Sequence, residues 1–97
     1  MIQTFRNVAT EDLFKQNDSK VARKAFPKEL WLVMRRKLDM LQAAKTLNDL
    51  NAFPGTRLEN LKHTMPGYYS IRVNDRFRVT FRFENGAALD VAIEDYH

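Results

Sequence analysis

The chain contains no cysteine. That excludes disulfides and thiolate metal sites, and it fits a reducing cytosol. Two histidines without further ligands at metal spacing give no metal motif. Three glycines are too few for a Gly-rich phosphate loop, and there is no nucleophile elbow. No apolar run approaches the ~18–20 residues needed to span a bilayer. The opening "MIQTFRNVAT" lacks the basic-then-apolar layout of a secretion signal. No internal repeat or low-complexity segment is visible. The expectation is a cytoplasmic protein with no cofactor, no metal and no membrane contact.

What is present suits one folded unit. Ninety-seven residues suffice for one core, so residues 1–97 are read as a single domain. A hydrophobic fraction of 44% argues against disorder. Sixteen Lys and Arg against twelve acids leave +4, a weak hint of a nucleic-acid partner.

The chain divides into a short strand, a helical half and a sheet half. "IQTF" reads as a first strand over 2–6. In "TEDLFKQ", Thr10 can cap a helix whose first turn holds Glu11 and Asp12. "NDS" at 17–19 is a break, and "KVARKAF" supplies one or two further turns. The clearest helix starts at Pro27, a natural first-turn residue, and runs to about Ala44. Leu30, Trp31, Val33, Met34, Leu38, Leu41 and Ala44 share one face of it, which reads as core. "NDLNAFPGTRL" is a connection, with a turn at Pro54-Gly55.

From there the period changes to two. In "YYSIRVNDRFRVTFRF" (68–83), Tyr69, Ile71, Val73, Phe77, Val79, Phe81 and Phe83 take one face. Ser70, Arg72, Arg76, Arg78, Thr80 and Arg82 take the other. A three-residue loop at 74–76 keeps all apolar side chains together and pairs Ile71 with Val79 and Arg72 with Arg78. A similar loop at 84–86, with Gly86 left-handed, pairs Val79 with Val91 and Phe77 with Ile93. It sets Arg78 opposite Ala92 and Arg76 opposite Glu94. Like charges directly opposite destabilise a sheet by up to ~1 kcal/mol. Arg72 facing Arg78 therefore suggests an anion site, with Ala92 leaving room for a guest. The plain alternative is a solvated face that uses arginine as filler.

RNA carries its own nucleophile in the 2′-hydroxyl. A ribonuclease needs a proton acceptor or orienter, a proton donor, and cations on the phosphorane. Arg72, Arg76 and Arg78, with Lys62 and His63 before them and Asp95, Tyr96 and His97 at the end, supply such an inventory.

"RLENLKH", "PGYYSIRVNDRFRVTFRFENGAALDVAIEDYH" and the elements before them closely resemble the HigB toxins, a branch of the RelE superfamily of toxin–antitoxin ribonucleases. The likeness covers nearly the whole chain and is most specific in "YSIRVNDRFRVTF" and the terminal "DYH". The resemblance implies an α+β, RelE-like fold with two N-terminal helices packed on a twisted, mainly antiparallel sheet. It implies a metal-independent endoribonuclease that cleaves mRNA on the ribosome. The implied partner is a cognate helix-turn-helix antitoxin (HigA-like), with DNA contacted only indirectly through it.

Carried onto matching positions, Arg78 would clamp the scissile phosphate. His97 would donate or accept a proton, Tyr96 would orient or stack on a base, and Asp95 would partner a cation or the 2′-hydroxyl. Lys62 would bind backbone phosphate, and Arg72 and Arg76 match more loosely as substrate contacts. "LKHTMPG" departs from the family's loop at this point, and Phe77 replaces its usual tryptophan. Two alternatives stay open: a non-catalytic RNA- or ribosome-binding module, and an autoregulatory protein acting through its antitoxin.

Overall fold

The computed structural model describes residues 1–96. Helix α1 (Val8–Phe14), helix α2 (Lys20–Ala25) and helix α3 (Trp31–Ala43) precede four strands. These are β1 (Glu59–Asn60), β2 (Tyr69–Arg72), β3 (Phe77–Glu84) and β4 (Ala87–Asp95), antiparallel in the order β1-β2-β3-β4. The α+β class expected from the sequence is the observed one. No helix among the described residues is long and apolar enough to cross a membrane.

The expected strand over 2–6 is a parallel edge beside β4, held by bridges Ile2 to Ala88 and Phe5 to Val91. At α1 the cap is Asn7, whose side chain accepts from the Thr10 amide, and not Thr10 as expected. Thr10 lies one turn inside, fully buried, and its Oγ1 accepts from the Ile93 amide at 3.0 Å. The N-terminal edge leaves β4 at Arg6, so beyond it a side-chain hydroxyl satisfies the outward N–H that a neighbouring strand would have taken. Ser19 caps α2.

Pro27 stands just before a 3₁₀ turn (Lys28–Leu30) that leads into α3, one step outside its expected place in the first turn. The predicted face is the buried one: Met34, Leu38, Leu41 and Ala44 are core, while Leu30, Trp31 and Val33 are partly covered. Trp31 anchors the entry, its Nε1 donating to the Phe26 carbonyl at 3.0 Å. The connection after α3 contains a 3₁₀ segment (Leu47–Ala52) closed by a Thr46/Asp49 capping box. The backbone amides of Lys45 and Thr46 hold the Asp49 carboxyl below the usual range.

The β2–β3 register is as read from the alternation: Tyr69 with Phe81, Ile71 with Val79, Arg72 with Arg78. The β3–β4 register is not. Asn85 and Gly86 both have positive φ (51° and 78°), which is a two-residue turn of the type that matches strand twist. Pairing starts at Glu84 with Ala87 and Phe83 with Ala88, which mixes the two faces. A bulge then restores parity: Asp90 takes φ 53°, its amide donates to Thr4 Oγ1 at 2.8 Å, and Thr80 pairs with Ala92. Beyond it Val79 opposes Ile93, Arg78 opposes Glu94 and Phe77 opposes Asp95. The expected partners Val91 for Val79, Ile93 for Phe77, Ala92 for Arg78 and Glu94 for Arg76 are each displaced by two residues.

The helices cover one face of the sheet. Leu13, Met34, Leu38 and Leu41 form one core with Ile71, Val79, Phe81, Val91 and Ile93. The opposite face carries the charged rows.

Candidate active site

Arg78 occupies the middle of the open face. Its side chain is only 11% exposed, because three acceptors hold its fork. Nε donates to Ser70 Oγ at 2.7 Å, Nη2 to the Arg57 carbonyl at 2.7 Å, and Nη1 pairs with Glu59 at 3.2 Å. Arg57 has φ 46°, a left-handed conformation that costs a non-glycine residue about 1–2 kcal/mol. Its carbonyl reaches Arg78 from that backbone. Ser70 is fully buried and lies directly across from Thr80. The Arg78 guanidinium therefore has a fixed position and orientation.

The shifted β3–β4 register decides how the tail meets Arg78. The Tyr96 amide donates to the Arg76 carbonyl at 2.6 Å, so pairing extends past Asp95. The Tyr96 ring lies 5.8 Å from the Arg78 guanidinium carbon, within cation–π range. Tyr96 keeps 37% of its surface exposed, open to a stacking partner. Asp95 binds Arg76, with oxygen–nitrogen distances of 2.8 and 2.9 Å, and this pairing raises the Arg76 pKa. His97, proposed from the sequence as the proton-transfer group, lies outside the described residues.

The other expected contacts are spread more widely. Arg72 flanks Arg78 across the strand pair and is ion-paired to Asp75. Arg76 lies just before β3, and contrary to expectation its guanidinium leaves the arginine face: it sits 4.8 Å from the Phe77 ring and binds Asp95, the cross-strand partner of Phe77. Lys62 and His63 are exposed on the turn after β1. Among the described residues Lys62 forms no ion pair or hydrogen bond, so its ammonium is available to a mobile anion.

Two groups escaped the reading of the sequence. Glu59 is carried to Arg78 by β1, a two-residue strand with no alternation to reveal it. Arg6 comes from the edge beside β4 and reaches over that strand to Thr80 Oγ1 at 2.6 Å, with Glu94 at 3.1 Å. Ala92 is fully buried there, so the space expected above it is not open. The sequence did carry a signal for the register: Asn-Gly is the strongest short hairpin turn, and it implies two loop residues.

Each arginine on the face has a carboxylate. The pairs are Arg6–Glu94, Arg72–Asp75, Arg78–Glu59 and Arg82–Asp90, the last at 3.2 Å, while the Arg76–Asp95 pair lies at the strand end on the Phe77 side. The face is thus rich in guanidinium forks yet locally neutral. Its long-range attraction for a polyanion is weak, while its short-range capacity to grip one phosphate is high.

Residues 3–97 match the family described as the RelE-like toxin of type II toxin-antitoxin system HigB. Toxin HigB-1 of Vibrio cholerae is 36% identical over 70 residues, covering 72% of this chain and 74% of that protein. Endoribonuclease HigB of Proteus vulgaris is 39% identical over 61 residues, covering 61% and 66%. Among solved structures, the YoeB dimer of Staphylococcus aureus superposes with a TM-score of 0.56 at 23% identity, over 99% of this chain and 94% of that one. The YoeB–YefM complex from the same organism gives 0.53 at 20% identity, over 100% and 98%. These two likenesses are of fold.

Proposed function

Because the chain belongs to the HigB-like family of RelE-like type II toxins, we propose that it is a metal-independent endoribonuclease that cleaves mRNA on the ribosome and so arrests translation. The observation that carries this reading is the Arg78 cluster: a guanidinium fixed by Ser70 and Arg57, touched by a carboxylate and faced by an exposed tyrosine.

Arg78 contacts the scissile phosphate through Nη1, displacing Glu59 from direct contact, while Ser70 and the Arg57 carbonyl keep the guanidinium in place. Glu59 then lies beside the phosphate as a proton acceptor. The 2′-oxygen attacks phosphorus as its proton passes to the Glu59 carboxylate. The bond to the 5′-oxygen breaks, and that oxygen takes a proton from the tail, with His97 as the donor. The products are a 2′,3′-cyclic phosphate and a free 5′-hydroxyl. Positive charge from Arg78 opposes the charge that builds on the phosphorane oxygens. Tyr96 stacks on a base next to the cleaved bond. Asp95 holds Arg76 at the edge of the site, outside reach of the scissile phosphate, and Arg72 and Lys62 contact flanking phosphates.

The neutral pairing of the face supports ribosome dependence. A surface with each fork matched to a carboxylate does not collect free RNA from a distance, so the substrate must arrive already positioned. A helix-turn-helix antitoxin of the HigA type is the proposed partner, and DNA is reached only through it. The proposed setting is the cytoplasm, where translation occurs.

The test is a short pulse of expression followed by mapping of mRNA 5′ ends, for the wild-type chain and for Arg78→Met. Cleavage ends in phase with the reading frame, absent in the variant, are expected. Arrested translation with intact messages would overturn the nuclease reading and leave a ribosome-binding module.

A further inference from the structure

Arg6 repeats the surroundings of Arg78. Arg78 donates to a buried floor hydroxyl (Ser70 Oγ, 2.7 Å), pairs with a glutamate (Glu59, 3.2 Å) and faces a tyrosine ring (Tyr96, 5.8 Å). Arg6 donates to a buried floor hydroxyl (Thr80 Oγ1, 2.6 Å), pairs with a glutamate (Glu94, 3.1 Å) and faces a tyrosine ring (Tyr68, 5.7 Å). Ser70 and Thr80 are direct cross-strand partners. Side chains so paired start about 5 Å apart, so the two anchors are separated on the scale of neighbouring phosphates.

The second arrangement is as constrained as the first. Thr80 is fully buried and also donates from Oγ1 to Glu94 at 3.0 Å, which fixes the carboxylate beside Arg6. Tyr68 is half-buried, and its hydroxyl donates to Asp90 at 3.1 Å. Asp90 in turn takes Arg82 at 3.2 Å. The hydrogen bond to Asp90 holds the ring beside Arg6, and burial and the Asp90 carboxylate both raise the Tyr68 pKa. Arg6 is 34% exposed, more open than Arg78. A solvated filler arginine needs no floor hydroxyl and no oriented ring.

We infer that Arg6 and Tyr68 form a second nucleotide subsite, in which Arg6 holds the phosphate next to the scissile one and Tyr68 supports its base or sugar. This rests on the reading of the open face as an RNA site. The substrate class is single-stranded RNA of at least two phosphates running across β2, β3 and β4, from Tyr96 and Arg78 towards Tyr68 and Arg82. Glu94 neutralises Arg6 while the subsite is empty, as Glu59 does for Arg78.

The test uses the full chain and a short 2′-O-methyl RNA, which cannot be cleaved, with binding followed by fluorescence anisotropy across a salt series. Each phosphate contact to a single strand contributes about 0.7 to the slope of log affinity against log salt. Arg6→Gln is expected to lower the slope by about 0.7, and Arg6→Lys to keep it. Tyr68→Leu should weaken binding roughly fivefold or more, the low end of base–aromatic stacking, while Tyr68→Phe keeps the ring and most of the affinity. If Arg6→Gln does not fold, the Tyr68 pair alone decides.

Arg78→Gln is the internal reference. If it lowers the slope while Arg6→Gln and Tyr68→Leu leave binding unchanged, the second subsite is wrong and the nuclease face stands. If Arg78→Gln also changes nothing, the face is not an RNA site and both readings fall. A wild-type chain that does not bind the probe at low salt overturns the two-phosphate subsite, while mRNA mapping still judges the nuclease reading separately.

Discussion

Replacing Thr10 by valine removes one oxygen and keeps the shape of the side chain. In the folded chain that oxygen is the acceptor for the Ile93 amide, 3.0 Å away and fully buried. Leaving a buried donor unsatisfied costs about 1–3 kcal/mol. For a domain of this size each kcal/mol moves the melting temperature by about 4–8 °C, so a fall of roughly 10 °C is expected. Thr10→Ser keeps the hydroxyl and loses a methyl, which costs only about 0.8 kcal/mol. The effect should also be local: hydrogen exchange at the Ile93 amide should rise most, since β4 loses its outer support just before Glu94, Asp95 and Tyr96. A helix-capping role for Thr10 predicts a different pattern. Asparagine caps as well as threonine, so Thr10→Asn would then be neutral. In the buried slot it should be at least as damaging as valine, and Asn7→Ala should carry the capping cost of about 1 kcal/mol instead. A Thr10→Val chain that melts within 1–2 °C of wild type, roughly the smallest shift worth weighing against that estimate, would refute the account of how β4 is held.

Glu59→Gln should reduce RNA cleavage by about 10²–10⁴-fold, the usual range for a lost proton acceptor, without weakening RNA binding; unchanged cleavage in a translating extract would remove Glu59 from the mechanism. Gly86→Ala should destabilise the chain by about 1–2 kcal/mol for its left-handed backbone. The added methyl would also meet the Lys45 carbonyl at 3.3 Å, and thermal melting measures the loss. Tyr68 should ionise above the usual tyrosine range in an absorbance titration, its step identified by its loss in Tyr68→Phe. Because its folded pKa is raised by burial and Asp90, its contribution to stability is complete below the unfolded value of about 10 and declines as pH rises from there through the folded value. Denaturant midpoints across that range should fall more steeply for wild type than for Tyr68→Phe.

Much of the fold was legible because period is a local property. Alternation over 68–83 placed Ile71, Val79 and Phe81 in the core and fixed the β2–β3 register, including Arg72 across from Arg78. The helical stripe marks Met34, Leu38 and Leu41 as core, and all three are fully buried. Alternation is blind to one kind of error, however. Sliding a strand by two residues returns each side chain to its own face. That is the error made at β3–β4, where the Asn85-Gly86 turn and the Asp90 bulge each add one residue to the offset. Thr10 was misjudged for a related reason, since the composition of a helix start does not say which hydroxyl faces β4.

By itself, then, the sequence determined the α+β class, the family, the buried face of α3, the β2–β3 pairing and the placing of Arg72 and Arg78 on one side, but not the side taken by Arg76, which turns to Phe77 and Asp95. Each follows from neighbours in the chain or from a motif. Only the tertiary structure decided that Glu94, and not Ala92, stands opposite Arg78, that Glu59 meets the same guanidinium, and that Arg6 crosses β4 to Thr80 and Tyr68. These contacts join residues far apart in the chain through a bulge, a two-residue strand and an edge segment. Each of those is too short or too irregular to leave a period, so the partners are chosen by packing and by the hydrogen bonds that burial requires.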